Sequence, residues 1–171
     1  MISKPHYIQK LNMPNNHLSF NHVQVVTSPE NIPPFDVEIE AYVYEQDTAL
    51  VLGPTYKVEY PSESIEQLIE QALETPPLIP GSVLVRGQSP FQLLAIIHDL
   101  DHEPTWQEEW IVTALHSILR QSEMHQLQSI AMPLLGTVHG SLQKERFWVL
   151  LRSVIEQASP VYLKQIWIVV P

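Results

Sequence analysis

The segment Pro133-Leu134-Leu135-Gly136-Thr137-Val138-His139-Gly140-Ser141-Leu142 puts two of the chain's five glycines four residues apart, just ahead of a helical pattern. Glycines at such a junction let the backbone approach closely, and the N–H groups before a helix can face an anion. Hydroxyls at Thr137 and Ser141 can add hydrogen bonds, and His139 carries an imidazole inside the same loop. The chemistry this arrangement suits is capture of a phosphate-bearing ligand. The same residues also fit a plain strand-to-helix turn with Ser141 as its N-cap, and both readings stay open.

A second constellation is His98-Asp99-Leu100-Asp101-His102-Glu103. His-x-x-x-His is a zinc-ligand spacing when it is helical, with carboxylates nearby to complete a site. Here His98 ends an apolar run and Pro104-Thr105 opens the next helix, so the segment reads as a loop and the one-face argument fails. No metal site is assigned. His116 and His125 lie on or near a helix and read as structural.

The elements that must position these residues follow from pattern. Residues 1–21 are polar, with Pro14-Asn15-Asn16, and form an irregular extension or at most a weak first strand. Strands are predicted at Val23–Thr27, Glu38–Tyr44, Leu50–Leu52, Ser82–Arg86, Leu93–His98, Ser129–Pro133 and Gln165–Val170. Helices are predicted from Ser64 to the Pro76-Pro77 stop, from Thr105 to about Ser122, and from about Leu142 to Gln157. Thr105 and Glu108 make the best capping box in the chain. The second half alternates strand and helix, which favours a largely parallel or mixed sheet with helices on both faces. A single α/β domain over residues 22–171, three-layer α/β/α around a central mixed sheet, is the fold expected. Ligands in such sheets settle beyond the carboxyl ends of the strands.

Composition narrows the function. The 171 residues carry 9 basic and 19 acidic side chains, a net charge of −10 with histidine neutral. General nucleic-acid binding is disfavoured, since it relies on clustered Lys and Arg. Residues 30–103 hold fourteen acids against Lys57 and Arg86, while the remainder is slightly basic. Without cysteine there is no disulfide, thiolate metal site or cysteine nucleophile. No run approaches the length of a membrane-spanning helix, and the start has no signal-peptide pattern, so a soluble cytoplasmic protein is expected.

At the residues already singled out, the chain resembles a family. Ser129–Thr137 is similar to the strand and second phosphate loop of macrodomains, the ADP-ribose-binding fold. The spacing follows the shorter Gly-x-Gly-x-Gly-Gly-Leu form of that loop, with Val138 and Ser141 at its second and fourth glycines. Pro80-Gly81-Ser82-Val83-Leu84-Val85 and Ala95-Ile96-Ile97-His98 resemble the family's Pro-Gly strand and its Ile-Ile-His strand. The likeness runs over residues 22–170.

Glu40–Asp47 matches the family's early Asp-Ala-Ile-Val-Asn-Ala-Ala-Asn segment, but Tyr44 and Asp47 replace its asparagines. Only Gly53 remains of the glycine-rich loop that follows. The acid that holds the adenine amine has Glu30 or Asn31 as its nearest counterpart, and Gln143 stands where relatives that hydrolyse ADP-ribosyl esters have an acid.

The resemblance implies an ADP-ribose-like small-molecule partner held by Gly136, Thr137, Val138, His139, Gly140 and Ser141, with no cofactor. Any activity would be hydrolysis of ADP-ribosyl or related phosphoester linkages, with Asp47 as general base; a cap of the following turn is the other role for Asp47. The alternatives are a diverged non-catalytic interaction domain, acting through protein contacts or as a small dimer, and a metal-dependent hydrolase using His98 and His102.

Overall fold

The computed structural model describes residues 17–52, 78–88 and 90–171. Among them, seven strands form one sheet in the spatial order β1-β2-β7-β6-β3-β5-β4. In chain order these are β1 (His17–Phe20), β2 (Val23–Pro29), β3 (Ala41–Asp47), β4 (Val83–Arg86), β5 (Phe91–His98), β6 (Ser129–Pro133) and β7 (Gln165–Val170). Two helices accompany them, α1 (Glu108–Met124) and α2 (Lys144–Ala158). The five inner strands are parallel, and β1 and β4 close the edges antiparallel. The mixed sheet with helices is the α/β architecture expected from the strand–helix alternation.

Period-2 alternation sorts the sheet's faces. Ala41, Val43, Leu93, Ala95, Ile130, Met132, Ile166 and Ile168 join one core with the buried stripes of α1 and α2. Tyr42, Ala131, Trp167 and Val169 belong to the opposite face. In α1 the stripe is Ile111, Ala114, Leu115, Ile118 and Leu119; in α2 it is Phe147, Leu150, Leu151, Val154 and Ile155. The helix predicted from Ser64 to the Pro76-Pro77 stop lies outside the described residues.

Several expectations shift. Of the two readings left open for the first residues, the strand applies to His17–Phe20, so the sheet begins ahead of residue 22. Asn21 at φ 56° makes the two-residue turn that pairs Phe20 with Val23, and the buried Phe20 holds the strand to the core. Leu50–Leu52 is not a strand but part of a turn, with Leu50 at φ 60°. The Thr105–Glu108 capping box does not form: α1 starts at Glu108 behind Gln107, which makes no side-chain cap bond. Ser141 is likewise not the cap of α2, because that helix begins at Lys144 behind Gln143.

The first turns of the two helices are tied together. Arg146 Nε lies 3.1 Å from both carboxylate oxygens of Glu108, and Arg146 Nη2 lies 2.5 Å from Oε1. This hydrogen bonding holds the Glu108 carboxyl below its ordinary value, against a small desolvation effect. A depressed carboxylate pKa adds stability above the unfolded-state value and loses it as pH falls through the folded value. Both side chains are exposed, so the contribution is small. Arg146→Ala is expected to cost about 0.5 kcal/mol at neutral pH. Urea unfolding of both proteins should show that difference vanishing once the carboxylate protonates in acid.

Candidate functional site

All five parallel strands end on one side of the sheet. Connections leave β3 toward β5 and leave β6 toward β7, in opposite directions, so the switch point of the sheet lies between β3 and β6. The two strands pair only at Ala41 with Ile130 and Tyr42 with Ala131. Beyond those pairs they part. A cleft of about 770 Å³ opens there, running from Glu30 and Val169 past Pro133 and Val138 to Tyr44 and Glu45.

The loop after β6 is anchored at both ends and open in the middle. Leu134, Leu135 and Leu142 are buried, whereas Val138 is 63% exposed and His139 and Ser141 are exposed. Leu142 N–H donates to the Gly136 carbonyl at 3.1 Å and closes the loop on itself. Thr137 N–H and Thr137 Oγ1 both donate to the Leu134 carbonyl, at 3.1 and 2.8 Å. Among the described residues, the N–H groups of Val138, His139, Gly140 and Ser141 donate to no partner. Val138 and His139 of this run line the cleft, and Gly140 and Ser141 follow them in the loop.

Both glycines are required by the chain itself. Gly136 sits at φ +80°, and a Cβ there would come 2.5 Å from Ile111 Cδ1. At Gly140 a Cβ would lie 2.6 Å from the Gly136 carbonyl oxygen and 2.7 Å from Trp106 Cδ1. The close approach predicted for a ligand is, at these two positions, a close approach of the protein to itself.

At the end of β3 the structure brings together residues that are far apart in sequence. Glu45, 8% exposed, accepts the Gly136 N–H on Oε1 at 2.5 Å and lies 2.9 Å from His98 Nε2 through Oε2. His98, fully buried, has its other nitrogen 3.0 Å from Thr105 Oγ1. An irregularity between Gln46 and Asp47 makes this reachable. Gln46 pairs with Ile96 but Asp47 pairs with His98, so Ile97 is the extra residue and His98 turns toward Glu45. His139 stands edge-on to His98 with ring centroids 6.3 Å apart.

Asp47 is fully buried, and its oxygens accept N–H bonds from Ala49 at 2.7 Å, Val51 at 2.9 Å and Leu52 at 2.7 Å. It does not line the cleft. The carboxylate caps its own turn, with three of its roughly four lone-pair sites taken, and this buried position away from the cleft does not support the general-base role. Gly136 and Thr137 drop out as amide donors, since each N–H already has an acceptor. His102 is exposed beside Asp99 at 2.9 Å, while His98 uses both ring nitrogens internally, so the two do not face one cation. Among the described residues no cluster of three His, Asp or Glu could hold a metal ion. No helix among them is long and apolar enough to cross a membrane.

Glu45 and the true partners of His98 escaped sequence reading. The signal was present, because an acid directly after the apolar Ala41–Tyr44 run and a histidine ending the apolar Leu93–Ile97 run each require a buried partner.

Solved structures share this architecture. A point mutant of the Oceanobacillus iheyensis macrodomain superposes with a TM-score of 0.64 at 17% identity, covering 92% of this chain and 89% of that one. This is the macrodomain fold. The macrodomain of Mycobacterium tuberculosis DarG matches with a TM-score of 0.62 at 18% identity, over 85% of this chain and 98% of that chain. A second Oceanobacillus macrodomain mutant, solved with ADPR, matches at 0.63 and 16% identity over 90% and 88%. No protein-family model matches the chain, and no curated protein matches it by sequence. The macrodomain fold is thus shared at 16–18% sequence identity.

Two stability outcomes follow. Asp47→Ala, which strands three inward-facing N–H groups, is expected to cost about 2–3 kcal/mol. Gly140→Ala, whose methyl meets an immovable carbonyl, is expected to cost about 1–3 kcal/mol. Urea titration followed by circular dichroism measures both.

Proposed function

We propose that the protein binds ADP-ribose or a closely related nucleoside diphosphate, with the diphosphate on the backbone N–H groups of Val138, His139, Gly140 and Ser141. The observation that carries this is the run of four amides without a partner among the described residues, in a loop whose Val138 and His139 line the cleft at the sheet's switch point. Peptide N–H groups converging ahead of a helix are a general solution for holding phosphate oxygens.

The order of the lining supports the pose. Glu30, at the β2 and β7 end, can accept from an adenine amine, and Tyr44 and Glu45, at the β3 end, flank the distal sugar. The shared fold of the Oceanobacillus protein solved with ADPR supports the same ligand class. Binding without turnover is the preferred reading, because the two carboxylates at the end of β3 are occupied: Asp47 by its turn and Glu45 by His98 and Gly136.

Calorimetric titration of ADP-ribose tests this. Glycine variants are unsuitable controls, since both glycines are fixed by packing. Val138→Glu is suitable, because Val138 is exposed and the new carboxylate would stand beside the diphosphate. Two unit charges ~4 Å apart near a protein surface repel by several kcal/mol, so affinity should fall about tenfold or more. No heat from the native protein at millimolar ADP-ribose would overturn the proposal, as would equal affinity in Val138→Glu.

A further inference from the structure

We infer that Glu45 is a positioning residue for anion binding: its carboxylate fixes the Gly136 turn, and so the direction in which the Val138–Ser141 amides point. The inference rests on the diphosphate reading above but concerns a residue outside the loop. Glu45 sits on a different strand, ninety-one positions away from Gly136, and reaches it by a 2.5 Å hydrogen bond.

Three observations carry it. First, β3 and β6 do not pair beyond Tyr42 and Ala131, so no strand ladder links the end of β3 to the start of the loop. The Glu45–Gly136 bond spans that gap. Second, the opposite oxygen of Glu45 is held by His98, and His98 by Thr105, so the carboxylate cannot swing away without breaking a buried chain. Third, Gly136 is the point on which the loop closes. Its carbonyl accepts from Leu142 N–H, and Gly140 packs on that same carbonyl oxygen. Gly136 N–H and its carbonyl lie on the two peptide planes that flank its Cα, so bonding both fixes the φ and ψ of Gly136 and, with them, the path of the loop that closes on its carbonyl.

What matters in this role is reach, not charge. Glu45→Gln keeps the length and an acceptor oxygen for Gly136 N–H, and its amide N–H can donate to His98 Nε2 in the tautomer whose Nδ1–H donates to Thr105. Glu45→Asp keeps the charge but shortens the arm by one methylene, so it cannot contact both Gly136 and His98 as before. Each variant is probed in two ways on the full chain. Amide exchange of Gly136 requires no ligand. Calorimetry uses pyrophosphate, ADP-ribose and adenosine as separate probes.

The expected result is that Glu45→Asp loses Gly136 protection about tenfold, with protection of the β6 and β7 amides unchanged. Its affinity for pyrophosphate and ADP-ribose should fall by a similar factor (about 1.4 kcal/mol per tenfold) while adenosine binding stays the same. Glu45→Gln should keep Gly136 protection and bind pyrophosphate at least as tightly as the native protein, since a negative charge near the anion is gone. The reverse ranking, with Asp native-like and Gln impaired, would make the role electrostatic and overturn the inference. So would unchanged Gly136 protection in Glu45→Asp, or an equal loss for adenosine. If the native protein binds none of the probes, the diphosphate reading falls by itself, while the exchange measurement still decides whether Glu45 holds the turn.

Discussion

A buried carboxylate joins the two halves of this site. Removing a carboxylate from water costs several kcal/mol unless its oxygens find donors. At Glu45 both do, one from a backbone amide and one from an imidazole. The surrounding architecture can be understood as meeting that requirement. The register irregularity on β5 brings His98 within range, Thr105 leaves the helix cap to satisfy the far side of the ring, and the parting of β3 from β6 makes room for Gly136. Neighbouring Asp47 satisfies the same rule locally by taking three amides of its own turn. The end of β3 thus carries two acids, neither of which behaves as a solvated charge.

This constraint changes the meaning of the glycines. A glycine-rich loop beside a cleft invites the view that hydrogen replaces a side chain to admit a ligand. In this chain the hydrogens at Gly136 and Gly140 admit Ile111, Trp106 and the loop's own carbonyl. The loop is compact because it packs on the start of α1, and Val138, His139 and Ser141 are left exposed. The geometry proposed for anion binding is then a by-product of tight packing around a clamped turn.

How legible this was depended on range. Local periodicity located β2, β5, β6, β7 and both described helices, because alternation at 2 and 3.6 residues is written in consecutive positions. The macrodomain likeness was legible in Ser129–Thr137 and in Ala95–His98, where the backbone path itself dictates residue type. Features set by distant partners were not. Thr105 looked like a cap three residues before Glu108, yet its hydroxyl is drawn to His98. Leu50–Leu52 looked like a strand by hydrophobicity, yet the Asp47 carboxylate folds it into a turn. Asp47 was singled out because it replaces an asparagine at the strand end, whereas Glu45, two residues earlier, is the acid that reaches the loop. A pairwise contact over ninety-one positions leaves no periodic trace.

The charge distribution then fits the way this loop can recognise an anion. Among the described residues lining the cleft there is no lysine or arginine, and Glu30 and Glu45 are both acids. A phosphate entering such a cleft gains little from net charge. It must gain from fixed dipoles, which work only if they are already aimed, since each N–H is weak and must not lose orientation entropy on binding. That places the burden on rigidity. A cleft lined by arginines could tolerate a loose loop, because long cations follow the anion; one lined by peptide N–H groups cannot. On the proposed reading, the acidic surroundings of the site and the buried clamp on its turn are two sides of one physical arrangement, in which geometry would substitute for the positive charge that the cleft lining does not supply.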